Sequence, residues 1–318
     1  MLKKILSFFN KQEDDEIEEP AIDPSLGYAR LSEFGQLLLA GKYEAFEEAY
    51  ETLSWDAKTL LNDGIGLNKS YAAAIKSWVE KRPTSYIANL FAGVCKTNLA
   101  WLARSSANAS EVGQSQAERF IRLLEDAYNY LSEADKLNPE DAEICARTIR
   151  VGMGLGIELE VMDGYFNAAI DLIPHHVSTH LMMINYLNPK WHGSVEAMHA
   201  FAQERFENGG SSLLAVLPLF AITEEWLYYN MTDEHEKRKA FFRNAELKKY
   251  ITDLYESFQE EEDGQLLIPY VYNYFAFLFY QFGELEKARV IIKKIAGKMT
   301  VYPWAYVEID SVKKLEAL

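Results

Sequence analysis

Ala117–Gly152, AERFIRLLEDAYNYLSEADKLNPEDAEICARTIRVG, is the stretch that decides the fold. Phe120, Leu124, Ala127, Leu131 and Ala134 follow one another at three- and four-residue steps, the spacing that lines apolar side chains along one face of an α-helix. Leu137-Asn138-Pro139-Glu140-Asp141-Ala142 then ends one helix and starts the next. The link is short, so the two helices must run antiparallel.

The same idea recurs on both sides. In Tyr270–Gly297, YVYNYFAFLFYQFGELEKARVIIKKIAG, the residues Tyr272, Phe275, Ala276, Phe279, Gly283, Ala288 and Ile292 again alternate bulky, small and aromatic positions across a glycine corner. Ala168-Ala169-Ile170-Asp171-Leu172-Ile173-Pro174 is a third, weaker echo. These boundaries resemble those of tetratricopeptide repeats, a resemblance that implies protein binding. Toward the N-terminus, Leu31, Phe34 and Leu38 share one face, Gly41 breaks the helix, and Tyr43, Phe46, Tyr50 and Leu53 resume it. Asn68 caps a helix toward Val79, and Arg82-Pro83-Thr84 precedes a longer one from about Ser85 to Arg104. The loop 105–115 closes that pair. Residues 211–231 and 235–258 read as two further helices, with EEEDG at 260–264 as the loop that follows. No run alternates as a strand would, since Val301-Tyr302 is too short. The expectation is an all-α fold of antiparallel helical hairpins, stacked as a TPR-like α-solenoid.

Six acids fall within Glu13–Glu19, a density that opposes packing, so residues 1–24 are expected to form a flexible acidic arm. The rest, 25–318, is expected to form one repeat domain with room for two lobes. A formal charge of −16 argues against nucleic acid and anionic membranes, and it favours a basic protein partner. Cys95 and Cys145 are the only cysteines and form no CxxC pair, which fits a reducing compartment. The apolar run Ile5–Phe9 is too short for a signal peptide. The expected location is cytoplasmic.

Ile173–Ala202, IPHHVSTHLMMINYLNPKWHGSVEAMHAFA, holds five of the six histidines, which makes it the place to look for chemistry. Two helical segments, about 175–187 and 194–206, flank the breaker Asn188–Gly193. His176 and His180 stand four apart, a spacing that suits two ligands of one zinc ion, and His192 and His199 could complete the set across the turn. No HExxH pattern accompanies them. Trp191 either plugs the gap between the helices or anchors a partner, with His192, Glu196 and His199 beside it. Tyr270–Phe282 holds eight aromatics in thirteen positions without a charge, which marks a buried helix whose Tyr270 and Tyr274 could still line a peptide groove. Gly152, Gly154 and Gly156 lack the GxGxxG spacing and point to close packing or a break. No phosphate loop, nucleophile elbow or catalytic set is present, and no cofactor is expected.

Across Asn188–Phe201, NPKWHGSVEAMHAF, the chain resembles a P-x-W-G-G-S-x-E-x-M motif of a bacterial helical-repeat family catalogued as domain of unknown function 4034. Pro189, Trp191, Gly193, Ser194, Glu196 and Met198 fall on the pattern, and His192 stands where glycine is usual. The resemblance carries no activity with it. The combined expectation is a non-catalytic protein-binding protein, in specific form an immunity protein that neutralises a basic toxin. The alternatives are an adaptor or chaperone with an aromatic-lined groove, and a metal-dependent hydrolase built on His176, His180, His192 and His199.

Overall fold

Phe120, Leu124, Ala127, Leu131 and Ala134 are all buried along one helix in the computed structural model, which describes residues 22–104, 113–258 and 266–318. Every regular element among the described residues is helical. The residues 1–21 of the acidic arm, 105–112 of the loop and the EEEDG stretch lie outside the described residues. The rest of the arm, Ile22–Pro24, is tied to the fold: Ile22 is buried, and Asp23 accepts hydrogen bonds from the backbone N–H groups of Ser25 and Gly27.

The chain divides into two compact units, 1–172 and 173–318. In the first, α1 (Leu31–Leu39) and α2 (Tyr43–Glu51) form the expected hairpin, with Gly41 at φ +68 in the left-handed corner that glycine adopts without strain. The aromatic rings of Phe34, Phe46, Trp78 and Phe91 meet at centroid distances of 4.7 to 5.7 Å and form the core between these helices and their neighbours. A short helix unforeseen in the sequence, α3 (Trp55–Leu61), runs into a π-turn, Asn62–Gly66. After α4 (Ala72–Lys81) come α5 (Tyr86–Arg104), α6 (Gln114–Leu137), α7 (Ala142–Leu155) and α8 (Leu159–Leu172), each packed on the next. α5 and α6 close tightly because Gly93 has no side chain: a Cβ there would stand 2.6 Å from Leu131 Cγ. Gly152 does the same for α8, where a Cβ would meet Met162 Sδ at 2.3 Å, and Gly156 ends α7 at φ +70. The GMGLG run is therefore both a packing device and a helix stop.

The interior of this unit also holds charge. Lys58 of α3 pairs with Asp141 at 2.9 Å, and Arg147 of α7 pairs with Asp63 at 2.6 Å and Glu143 at 2.7 Å. Thr59 donates its hydroxyl to Glu143, and Asn62 donates to the Lys58 carbonyl at 2.9 Å and to the Tyr50 hydroxyl at 3.1 Å. Burial raises the pKa of both Asp63 and Asp141, against the pull of Arg147 and Lys58 respectively. Burial opposes the charge on Arg147, but Asp63 and Glu143 more than offset it and hold the guanidinium protonated. The network bolts α3 and its π-turn to the start of α7.

The second unit contains α9 (Val177–Tyr186), α10 (Val195–Asn208), α11 (Val216–Met231), α12 (His235–Phe241), α13 (Ala245–Ser257), α14 (Ile268–Gln281), α15 (Leu285–Ile295) and α16 (Val312–Glu316). The single helix expected over 235–258 is two, because Asn244 turns its side chain onto the N–H groups of Glu246 and Leu247 and caps a new start. α11 begins before Pro218, which sits in its first turn where no hydrogen bond is lost. α14 is buried nearly all round, with Phe275, Phe277 and Phe279 fully enclosed. Trp304, also fully buried, donates its indole N–H to Asn273 Oδ1 at 2.7 Å and covers α14.

Removing one member of the first unit's ion network strands its partners. Arg147→Ala leaves Asp63 and Glu143 buried without their cation and should cost about 3–5 kcal/mol, read as a lowered urea midpoint. An unchanged midpoint would show that the network does not support the fold.

Candidate functional site

The corner between α9 and α10 is built on a near-contact of backbones. A Cβ on Gly193 would lie 1.9 Å from the Leu187 carbonyl oxygen, a position no side chain can occupy. Trp191 N–H donates to the Asn188 carbonyl at 2.8 Å, and the Ser194 hydroxyl caps α10 by accepting from Ala197 N–H at 3.1 Å. Beneath the corner lies Glu224 of α11, 3% exposed. It accepts from Asn188 Nδ2, Lys190 Nζ and Tyr306 Oη, each at 2.6 Å. Three donors satisfy a buried carboxylate that would otherwise be costly. Burial, reinforced by the charge of Glu224, raises the pKa of Tyr274 and Tyr306 well above that of ordinary tyrosine.

The anchored turn holds Trp191 half-buried and His192 exposed, with the imidazole stacked on Tyr186 at 4.7 Å. Trp191 is thus neither a full core plug nor a free surface ring. On α10, Glu196, Glu204 and Glu207 are exposed, and His199 Nε2 meets Glu225 Oε2 at 2.8 Å. Glu225 also accepts from Tyr229 Oη at 2.7 Å. Burial disfavours the Glu225 charge, yet these two partners lower its pKa on balance. The pKa of Glu196 is lowered by its own backbone N–H in the first turn of α10 and by Ser194.

The four histidines weighed as metal ligands do four separate jobs. His176 is the N-cap of α9 with ψ 98, outside the helix, so the four-residue spacing to His180 does not put the two rings on one helical face. His176 Nδ1 lies 2.7 Å from Thr179 Oγ1, and His180 Nδ1 donates to the His176 carbonyl at 3.0 Å. His192 is stacked and His199 is paired with Glu225. Among the described residues no three His, Cys, Asp or Glu side chains gather as a metal set. The four histidines weighed for the metal-dependent alternative are thus not brought together. Of the two tyrosines offered for a groove, Tyr274 is 5% exposed among the packed rings of α14, and Tyr270 is half-buried.

The family model described as Domain of unknown function (DUF4034) matches residues 28–155. Over those residues the chain is similar to that family. The matched residues span α1 to α7 and contain the buried Lys58 and Arg147 network, whereas the corner motif that carried the family resemblance lies outside them. No curated protein and no solved structure matches the chain. Within the matched residues, Cys95 and Cys145 are buried free thiols, and burial together with Asp135 and Asp141 pushes Cys145 up to about 12. The thiol is thereby held protonated and unreactive.

Sequence reasoning missed Glu224 and the ion network. One sign was available for the network, the pair Glu143 and Arg147 four apart on a largely apolar helix. Glu224 carried no such mark, because its three donors come from two distant segments.

Two measurements probe the corner. Gly193→Ala should destabilise by more than about 3 kcal/mol because its clash is with backbone, whereas Gly164→Ala, in open space on α8, should be neutral or slightly stabilising. Equal melting temperatures for the two variants would refute the close approach. Burial, the largest cause, lowers His180 from 6.5 to about 4. Between those values only the unfolded chain takes up the proton, so stability falls as pH drops, by about 3 kcal/mol at pH 4 relative to pH 7. Urea titrations of the parent and of His180→Gln should diverge at pH 7 and converge at pH 4.5.

Proposed function

We propose that this chain is a non-catalytic binding protein whose acidic surface takes a basic protein partner, in its most specific form a toxin that it neutralises. The observation that carries the reading is the rigid corner bearing Trp191 and His192, which leads into α10 with Glu196 exposed in its first turn and Glu204 and Glu207 exposed farther along the helix. An indole with part of its surface open beside negative charge is the usual composition of an anchor with a steering rim. A net charge of −16 speeds encounter with a basic partner and repels phosphate-rich ones. Glu224 supports the corner from beneath, so little conformational entropy is lost when a partner docks. No described helix is long and apolar enough to cross a membrane.

Affinity capture of tagged protein from its native cells at about 50 and about 500 mM salt tests the reading. The expected result is a single basic protein retained at low salt, released at high salt, and lost by the triple variant Glu196→Lys, Glu204→Lys, Glu207→Lys. A partner held equally by the triple variant, or bound independently of salt, would move the interface off this face.

A further inference from the structure

The second unit contains a local reversal of charge. His235–Tyr250, HEKRKAFFRNAELKKY, carries six Lys and Arg against two acids in a chain that is otherwise strongly acidic. Its four lysines are each engaged: Lys237 with Glu234, Lys239 with Glu236, Lys248 with Glu284 and Lys249 with Asp253. Its two arginines are not. Arg238 and Arg243 have no carboxylate partner among the described residues, and the neighbouring acid Glu236 is highly exposed and paired with Lys239.

Both arginines line one cleft. It has a volume of about 360 Å³ and is walled by Trp226, Arg238, Lys239, Phe242, Arg243 and Gln281. The Arg238 guanidinium lies 4.8 Å over the Trp226 ring and donates to Asn230 Oδ1 at 2.7 Å, so its plane is set before anything binds. Phe242 is wedged edge-on against Phe282 at 5.1 Å and tilted against Trp226 at 5.4 Å, and it is half-buried, leaving part of its ring toward the cleft. Two guanidinium groups without a carboxylate partner among the described residues, an exchangeable surface lysine, an amide and an aromatic wall make a site for a ligand with a charged end and a flat end.

We infer that this cleft binds a small organic anion in which a phosphate is joined to a planar ring. Arg238 and Arg243 hold the phosphate, Lys239 leaves its weak exposed pairing with Glu236 to join them, and the ring lies against Phe242 with Gln281 at its edge. The whole-chain charge does not oppose this, because screening confines the acidic field to about 8–10 Å at physiological salt. The site is independent of the α10 face proposed above and shares no residue with it.

Isothermal titration of the full chain with adenosine monophosphate, phenyl phosphate, inorganic phosphate and adenosine tests the assignment. Saturable binding is expected for the first two, with inorganic phosphate and adenosine each weaker by about tenfold or more. The tighter of the two aromatic phosphates distinguishes a nucleotide from another aryl phosphate. Arg243→Gln, at an exposed position, should weaken binding by about tenfold or more at unchanged melting temperature. Arg238→Gln should do the same, and Phe242→Leu should reduce the preference for the ring-bearing ligands. The inference is overturned by the absence of saturable binding, by equal affinity for inorganic phosphate and adenosine monophosphate, or by undiminished binding in Arg243→Gln.

Discussion

Each unit is tied together by a carboxylate taken out of water and given several hydrogen-bond donors. In the first, Glu143 accepts from Arg147 and Thr59; in the second, Glu224 accepts from Asn188, Lys190 and Tyr306. A buried ion without partners costs several kcal/mol, so the surrounding segments are held wherever those donors need to be. This is why a short helix, α3, and its π-turn sit fixed against α7, and why an irregular corner such as Asn188–Gly193 keeps one conformation. Apolar packing alone would tolerate sliding of these elements, whereas a hydrogen-bonded charge does not.

Glycine works alongside that constraint. Gly93, Gly152 and Gly193 each mark a place where a Cβ would collide, with a side chain in the first two cases and with backbone in the third. The first two let helices close on one another, and the third lets a chain double back on a helix end. The difference matters functionally: helix faces closed by small residues are interior, while the turn closed at Gly193 raises Trp191 and His192 to the surface. In the proposed reading, a partly open indole held at the start of an acidic helix would meet a partner with little loss of freedom.

Charge is distributed less simply than the total implies. The exposed acids of α10 and the arginines of α12 and the turn after it belong to one unit, yet they would suit ligands of opposite sign. A formal charge of −16 describes long-range steering; it does not forbid a local cationic cleft walled by aromatic rings.

By itself the sequence determined that the protein is all-α, which residues of α1, α2, α6 and α14 face inward, and where Gly41 and Pro139 end helices. Those features depend on spacing and backbone sterics within a few residues, which are local and therefore readable. It did not determine the role of the histidines, because one residue of difference in where α9 starts moves His176 from the helix to its cap and separates it from His180. Nor did it reveal Glu224 as the anchor of the corner, the Lys58–Asp141 and Arg147–Asp63 pairs, or the cleft at Arg238 and Arg243. Each joins side chains from separate elements, 83 and 84 positions apart for Lys58–Asp141 and Arg147–Asp63. Only the tertiary structure decides such partnerships, since a buried charge takes whichever donors the packed helices bring within hydrogen-bond reach.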